Sequence, residues 1–260
     1  MSTSGRPKHR SLSIVIPAYN EANRIGGSLH KIAGYFAGRP DLCEVIVVDD
    51  GSQDGTAQVI QSLAEAHPWV RLLRNPTNTG KGAVVQRGVL CAHGEKIAFC
   101  DADLSAPIEE LDQLLACLDG VYDIAIGSRV HTAPDNRVQR RVQRRLMASA
   151  FNLLVRALLV HRIVDTQCGL KAFKRPVALD LFSQQSIPGF AFDVELLWRA
   201  QRSGYRIAEV PISWVADAES RIRPLRDSLT MARDVVVLWF HERMIPAFRR
   251  VGARLAGRRL

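Results

Sequence analysis

Four pairs or clusters of polar residues fall where short apolar runs end, and their types suggest chemistry. Asp101 and Asp103, in Cys100-Asp101-Ala102-Asp103-Leu104-Ser105, follow the apolar run Lys96–Cys100. Carboxylates two residues apart alternate across an extended chain end, so one can ligate a metal while the other reaches a sugar or ribose hydroxyl. Carboxylate oxygens suit Mg2+ or Mn2+, which keep some waters and take substrate phosphates as further ligands. Asp49 and Asp50 close the run Glu44–Asp49. Adjacent carboxylates repel, so at least one of them needs a cation or a donor-rich ligand. Asp54 is placed to cap the helix that follows. The first run ends in Pro17-Ala18-Tyr19-Asn20-Glu21. Pro17 ends the hydrogen-bond ladder, Tyr19 offers a flat ring for stacking, and Glu21 suits a helix start. Asp193 and Glu195 form the last acidic pair, in Phe190-Ala191-Phe192-Asp193-Val194-Glu195.

The runs that carry these residues read as buried strands: Ser11–Pro17, Glu44–Asp49, Val70–Arg74, Lys96–Cys100 and Asp123–Gly127. Helical patterns lie between them, near Ala22–Phe36, Asp54–Ala66, Lys81–Ala92 and Pro107–Leu118. This alternation predicts an α/β fold with a mostly parallel sheet covered on both faces. In such sheets ligands bind beyond the carboxyl ends of the strands, where the acidic residues fall. Further on, the pattern predicts a helix over Arg137–Val160, a strand at Gly169–Lys174, a helix at Phe192–Arg202 and strand structure in Tyr205–Val215. A closing amphipathic helix is expected over Arg226–Arg250. We divide the chain into a basic tail (1–10), one large domain (11–220) and a basic C-terminal helix (221–260).

A length of 260 residues with 47% hydrophobic and 23% charged content excludes collagen-like and wholly disordered classes. The net charge of +9 is concentrated in two places. Arg137–Arg145 holds five Arg and no acid, and Arg221–Leu260 holds ten Arg against three acids. Such patches favour docking on a polyanionic surface. Five cysteines at irregular spacings read as reduced thiols rather than a disulfide framework or zinc site. No run approaches the roughly 20 apolar residues of a membrane span, and the polar N-terminus lacks a signal-peptide core. The expected location is the cytoplasm, peripheral on a membrane face. No nucleic-acid-binding motif is present.

The ordered motifs I-V-I-P-A-Y-N-E, V-V-D-D-G-S-x-D-G-T, N-T-G-K-G and D-A-D-L-S resemble those of glycosyltransferase family 2, with its GT-A fold. Ile126–Arg129, Val164–Phe173 and Phe190–Glu195 look like its polyprenyl-phosphate branch, most similar in pattern to dolichyl-phosphate β-glucosyltransferases. The resemblance spans about Ser11 to Val237. It implies an inverting, metal-dependent transferase that moves a hexose from a nucleotide sugar, with UDP-glucose the expected donor, to a polyprenyl phosphate. It implies that Pro17, Tyr19, Glu21, Asp49, Asp50 and Lys81 hold the nucleoside. Asp101, Ala102 and Asp103 would meet ribose, diphosphate and metal, and Arg129 and Arg221 the phosphates. Arg221 stands in Glu219-Ser220-Arg221, a departure from the Gly-Ser-Lys of related enzymes.

A lipid phosphate has a second pKa of about 6 and is already an oxyanion near neutrality, so it needs no general base. Arg140, Arg144 and Lys171 are expected to hold it. Asp193 and Glu195 then orient substrate or sit at a helix start. If the acceptor were instead a sugar hydroxyl, one of the two would serve as base. Nucleotidyl transfer fits less well, because no basic Gly-rich loop follows the first strand. With Asp103 as a metal ligand outside the core, Asp103→Ala should abolish sugar transfer, a loss of orders of magnitude, with the fold intact. Activity within about threefold of wild type at saturating metal would overturn the assignment.

Overall fold

The computed structural model describes residues 12–39, 42–129, 151–215 and 228–241. Its frame is a seven-stranded sheet in the order β3-β2-β1-β4-β6-β5-β7. The strands are β1 (Leu12–Ala18), β2 (Leu42–Asp49), β3 (Val70–Arg74), β4 (Lys96–Phe99), β5 (Ile124–Ser128), β6 (Lys171–Lys174) and β7 (Ile207–Pro211). The helices are α1 (Ala22–Phe36), α2 (Thr56–Ala66), α3 (Lys81–Leu90), α4 (Leu111–Asp119), α6 (Arg175–Ser183) and α7 (Phe192–Arg202). Residues 151–158 form α5 and residues 228–241 form α8. The expected α/β architecture is present, and the predicted strands and helices are matched to within a few residues wherever they fall on described residues, which leaves 242–250 of the expected closing helix outside them.

Period-two alternation sorts the strand side chains onto two faces. Ile14 and Ile16 of β1 join one core with Ile25, Ile32, Ile60 and Leu114 from α1, α2 and α4. Val15 joins the other, with Val85, Val155, Phe182, Phe192 and Val235 from α3 and α5–α8. Both faces are therefore covered, as a mainly parallel sheet requires.

β6 is the exception to parallel order. It runs antiparallel to β4 and to β5, with Lys171 opposite Phe99 and Ile126. The segment entering β6 therefore reaches the same rim as the segments leaving β4 and β5, and residues 165–170 arrive beside Asp101. α6 was not among the predicted helices. Its signal is Pro176 in the first turn, where the missing N–H costs nothing. The bulk of the expected helix before residue 151, the tail and Arg221 lie outside the described residues. So do Arg140 and Arg144. Among the described residues no helix is long and apolar enough to cross a membrane.

One glycine allows α3 to approach the sheet closely. A Cβ on Gly88 would lie 2.3 Å from Val15 Cγ1 and 3.1 Å from Val48 Cγ2. Alanine gains about 1 kcal/mol in helix propensity, whereas overpacking a rigid core costs about 1–3 kcal/mol. A contact this short puts the cost at the upper end. Gly88→Ala should therefore destabilise by about 1–2 kcal/mol, read as a lower urea midpoint at unchanged slope. Equal or greater stability would mean that the sheet yields at this point.

Candidate functional site

The loops after β1 and β2 are stitched together by their own polar groups. Asn20, held at a φ of 55°, donates its N–H to Ser52 Oγ at 2.8 Å and accepts from Gln53 N at 2.9 Å. The Glu21 N–H reaches Thr56 Oγ1 at 2.7 Å. Asp54 accepts from Thr56 N at 3.0 Å and from Ala22 N at 3.3 Å, so one carboxylate serves the starts of both α2 and α1. Tyr19 stays 39% exposed on this platform. The Glu21 carboxylate forks onto Arg24 at 2.7 and 2.8 Å.

Asp49 and Asp50 resolve their repulsion without a ligand. Asp49 is wholly buried, with Arg74 Nε 3.2 Å from its Oδ2 and the Ser52 N–H on Oδ1. Asp50 Oδ1 accepts from Asn75 Nδ2, Thr79 N and Thr79 Oγ1 at 2.8–2.9 Å, and Oδ2 accepts from Gly80 N at 2.9 Å. The donor-rich partner expected for this pair is thus the chain's own loop 74–80. Asp50 fixes the residues that lead into α3, and Gly80, at a φ of 98°, makes the turn.

That turn delivers Lys81 to the strand-end carboxylates. Lys81 Nζ donates to Asp101 Oδ1 at 2.6 Å. Burial alone would lower the ammonium pKa, but Asp101, with Asp193 and Asp103 behind it, raises it above the ordinary lysine value. Burial likewise opposes the Asp101 charge, and Lys81, Lys171 and Arg129 outweigh it, holding Asp101 below the usual carboxylate range. Asp103 is half-buried and accepts the Ser105 N–H at 2.9 Å. Ala102 is buried, and its carbonyl accepts from Ser28 Oγ at 2.6 Å. Gly169 leaves the room that Asp101 fills, since a Cβ there would stand 2.0 Å from Asp101 Oδ2.

Two further ion pairs back this cluster. Arg129, at the end of β5, forks onto Asp165 with both contacts at 2.7 Å, and its own N–H reaches Asp165 Oδ2 at 3.0 Å. Asp165 therefore lies below, and Arg129 above, its ordinary value despite burial. Lys171 is wholly buried, donating to Asp193 Oδ1 and to the Cys168 carbonyl at 2.6 Å each. The expectation that Lys171 meets an acceptor phosphate is corrected on this point. The first position of β6 faces inward, so the ammonium neutralises Asp193 from behind. Burial raises the Asp193 pKa even so.

Glu195 takes the helix-start alternative, in the first turn of α7. It is wholly buried and accepts from Ser186 N, Ser186 Oγ, Ile187 N and Arg199. All of its lone pairs face the chain, which leaves no oxygen for a base or a sugar contact. Lys81, Asp101, Asp103 and Asp193 come together, with Arg129 and Asp165 alongside. Asp50 adjoins them through loop 79–80, and Glu195 stands apart. Asp165 was not among the predicted site residues. The signal available was its place in the same Asp-Thr-Gln-Cys-Gly stretch that supplies Gly169. Among the described residues, no three His, Cys, Asp or Glu side chains form a ready-made metal cage.

A sequence model of the family described as "Glycosyl transferase family 2" matches residues 13–182. The dolichyl-phosphate beta-glucosyltransferase of Drosophila melanogaster is 37% identical over 241 residues, covering 88% of this chain and 74% of its own. That of Homo sapiens is 34% identical over 242 residues, covering 88% and 75%. Among solved structures, Mycobacterium tuberculosis glucosyl-3-phosphoglycerate synthase, in complex with Mn2+, uridine diphosphate and phosphoglyceric acid, is similar in fold. Its TM-score is 0.63 at 24% identity, over 90% of this chain and 78% of that one.

The Arg129–Asp165 fork yields a test of stability. Asp165→Asn removes the charge that the guanidinium forks onto and turns an N–H2 toward it, at a cost of about 2–4 kcal/mol near neutrality. Because the folded-state pKa of Asp165 is depressed, its contribution is complete above the unfolded value near 4 and is lost as pH falls through the folded value. The wild-type advantage in urea unfolding should accordingly be full at pH 7 and shrink below about pH 4. An advantage independent of pH would show that ionisation of Asp165 is not its source.

Proposed function

The chain belongs to glycosyl transferase family 2, and from that premise we propose that it transfers glucose from UDP-glucose to a polyprenyl phosphate, with inversion at the anomeric carbon. One observation carries this reading. Asp101, Lys81, Asp193 and Lys171 gather opposite charges at one rim of the sheet, beside Asp103, in a chain whose similar relatives bear the name dolichyl-phosphate beta-glucosyltransferase. The stitched β1 and β2 loops, with Tyr19 on their surface, form the nucleoside end of the site. Asp101 and Asp103 form its diphosphate end.

A divalent cation fits this donor set. Among the described residues no third acidic or imidazole side chain completes a metal cage with Asp101 and Asp103, and two carboxylates suit a hard ion that completes its shell with substrate phosphate oxygens and water. Asp103 and Asp101 would hold Mg2+ or Mn2+, which when bound would neutralise charge on the leaving diphosphate. The chain's own groups carry the rest. Lys81 offsets Asp101, so that the rim can accept a diphosphate without an excess of negative charge. Arg129, locked by Asp165, presents a fixed positive end close to Asp101. The acceptor phosphate arrives as an oxyanion, so no side chain has to remove a proton from it. The task left to the protein is to align two anions and to exclude water.

The acceptor's long apolar tail requires a membrane. α8 is apolar on both sides: Val235 and Leu238 pack into the core, while Leu229, Val236, Val237 and Phe240 stay exposed. We assign the exposed side, together with the two Arg-rich segments, to peripheral docking on an anionic cytoplasmic leaflet.

Incubation with labelled UDP-glucose, Mg2+ and polyprenyl phosphate in anionic vesicles should place the label in the organic extract as a β-linked lipid phosphate sugar. A combined Val237→Glu and Phe240→Glu variant should lose most of that product while binding UDP normally. Label found only on water-soluble acceptors would overturn the lipid reading. A doubly charged α8 with full lipid transfer would overturn the docking surface.

A further inference from the structure

The contacts of Glu195 reach the site by an indirect route. Its carboxylate holds the backbone of residues 186 and 187 at 2.8–3.0 Å, with Ser186 Oγ at 2.8 Å. The carbonyls of that loop press directly on the start of α3. The Ala83 N–H donates to Pro188 O at 3.1 Å, satisfying one of the first-turn donors that a helix leaves open. Gly80 and Gly82 have no space for a side chain against the loop. A Cβ on Gly80 would lie 2.6 Å from Pro188 O, and one on Gly82 would lie 2.6 Å from Ile187 O. Gln86, one turn further on, donates to the Phe182 and Gln185 carbonyls at 2.7 and 3.2 Å. Lys81 lies between the two glycines, and its ammonium is the group that meets Asp101.

We propose that Glu195 is a positioning residue for Lys81. By fixing the 186–188 backbone it seats the first turn of α3, and so it sets the Lys81 ammonium on Asp101 without touching substrate. Asp50 holds the opposite side of the same turn through Thr79 and Gly80, so α3 begins between two carboxylate-anchored loops. The seating of α3 follows from these contacts alone, whereas its consequence for donor binding rests on the function proposed above.

The test reads Lys81 itself in the full chain. Trace amine acylation followed by mass spectrometry compares Lys81 with buried Lys171 and exposed Lys31. In Glu195→Gln, Lys81 should label about tenfold faster, with Lys171 and Lys31 unchanged. Gly82→Ala pushes the same contact from the helix side and should give the same pattern, which keeps the test decisive if the first variant folds poorly. Unchanged Lys81 labelling in the variants, or Lys171 rising in step with Lys81, would overturn the proposal. Neither outcome depends on which acceptor is used. In sugar transfer, Glu195→Gln should raise KM for UDP-glucose about tenfold and keep the shape of the pH–rate profile. In a Lys81→Met background it should add less than threefold. A full additional loss in that background, or loss of the basic limb of the profile, would overturn the positioning role.

Discussion

Carboxylates crowd one rim of this sheet, and each must be compensated before the chain can fold. Asp49, Asp50, Asp101, Asp165 and Asp193 lie there, all but Asp101 largely removed from water, where an uncompensated charge costs several kcal/mol. Each is answered by a specific partner. Arg74 faces Asp49, loop 75–80 donates to Asp50, Lys81 meets Asp101, Arg129 forks onto Asp165, and Lys171 lies behind Asp193. Ion pairs of this kind add little net stability relative to an apolar core. What they provide is an ordered arrangement of charge that a polyanionic ligand can enter without first displacing water from every group.

The partners come from distant parts of the chain, and the sheet topology brings them together. Parallel strands send the segments after β1, β2, β4 and β5 to one rim. The reversal of β6 adds the segment before it, and this supplies Asp165, Gly169 and Lys171. A parallel β6 would have carried these residues to the opposite rim and separated Arg129 from Asp165 and Asp193 from Lys171.

Much of this was legible in the sequence. Apolar runs of five to seven residues broken by acidic or glycine-rich turns identified the parallel strands, and the acidic strand ends identified the rim. What escaped were the pairings. Nothing in local periodicity links Asp50 to Thr79 or Arg129 to Asp165, because those contacts exist only once strands are ordered in space. Lys171 looked like an anion ligand because it is basic, and only the inward orientation of its strand position decides otherwise. Asp193 and Glu195 looked like one acidic pair. Two residues apart on a helix, their side chains diverge by roughly 200°. Asp193 consequently faces the rim, and Glu195 faces the loop behind it.

The fork between Arg129 and Asp165 also joins the two ends of a long excursion. The chain leaves the rim at residue 129 and is back at it by residue 165, with Val155 and Leu159 of the returning part already fixed in the core. The fork thus ties the segment after β5 to the segment before β6, two stretches that reach the rim from distant parts of the chain, so that a change at either partner is felt by both.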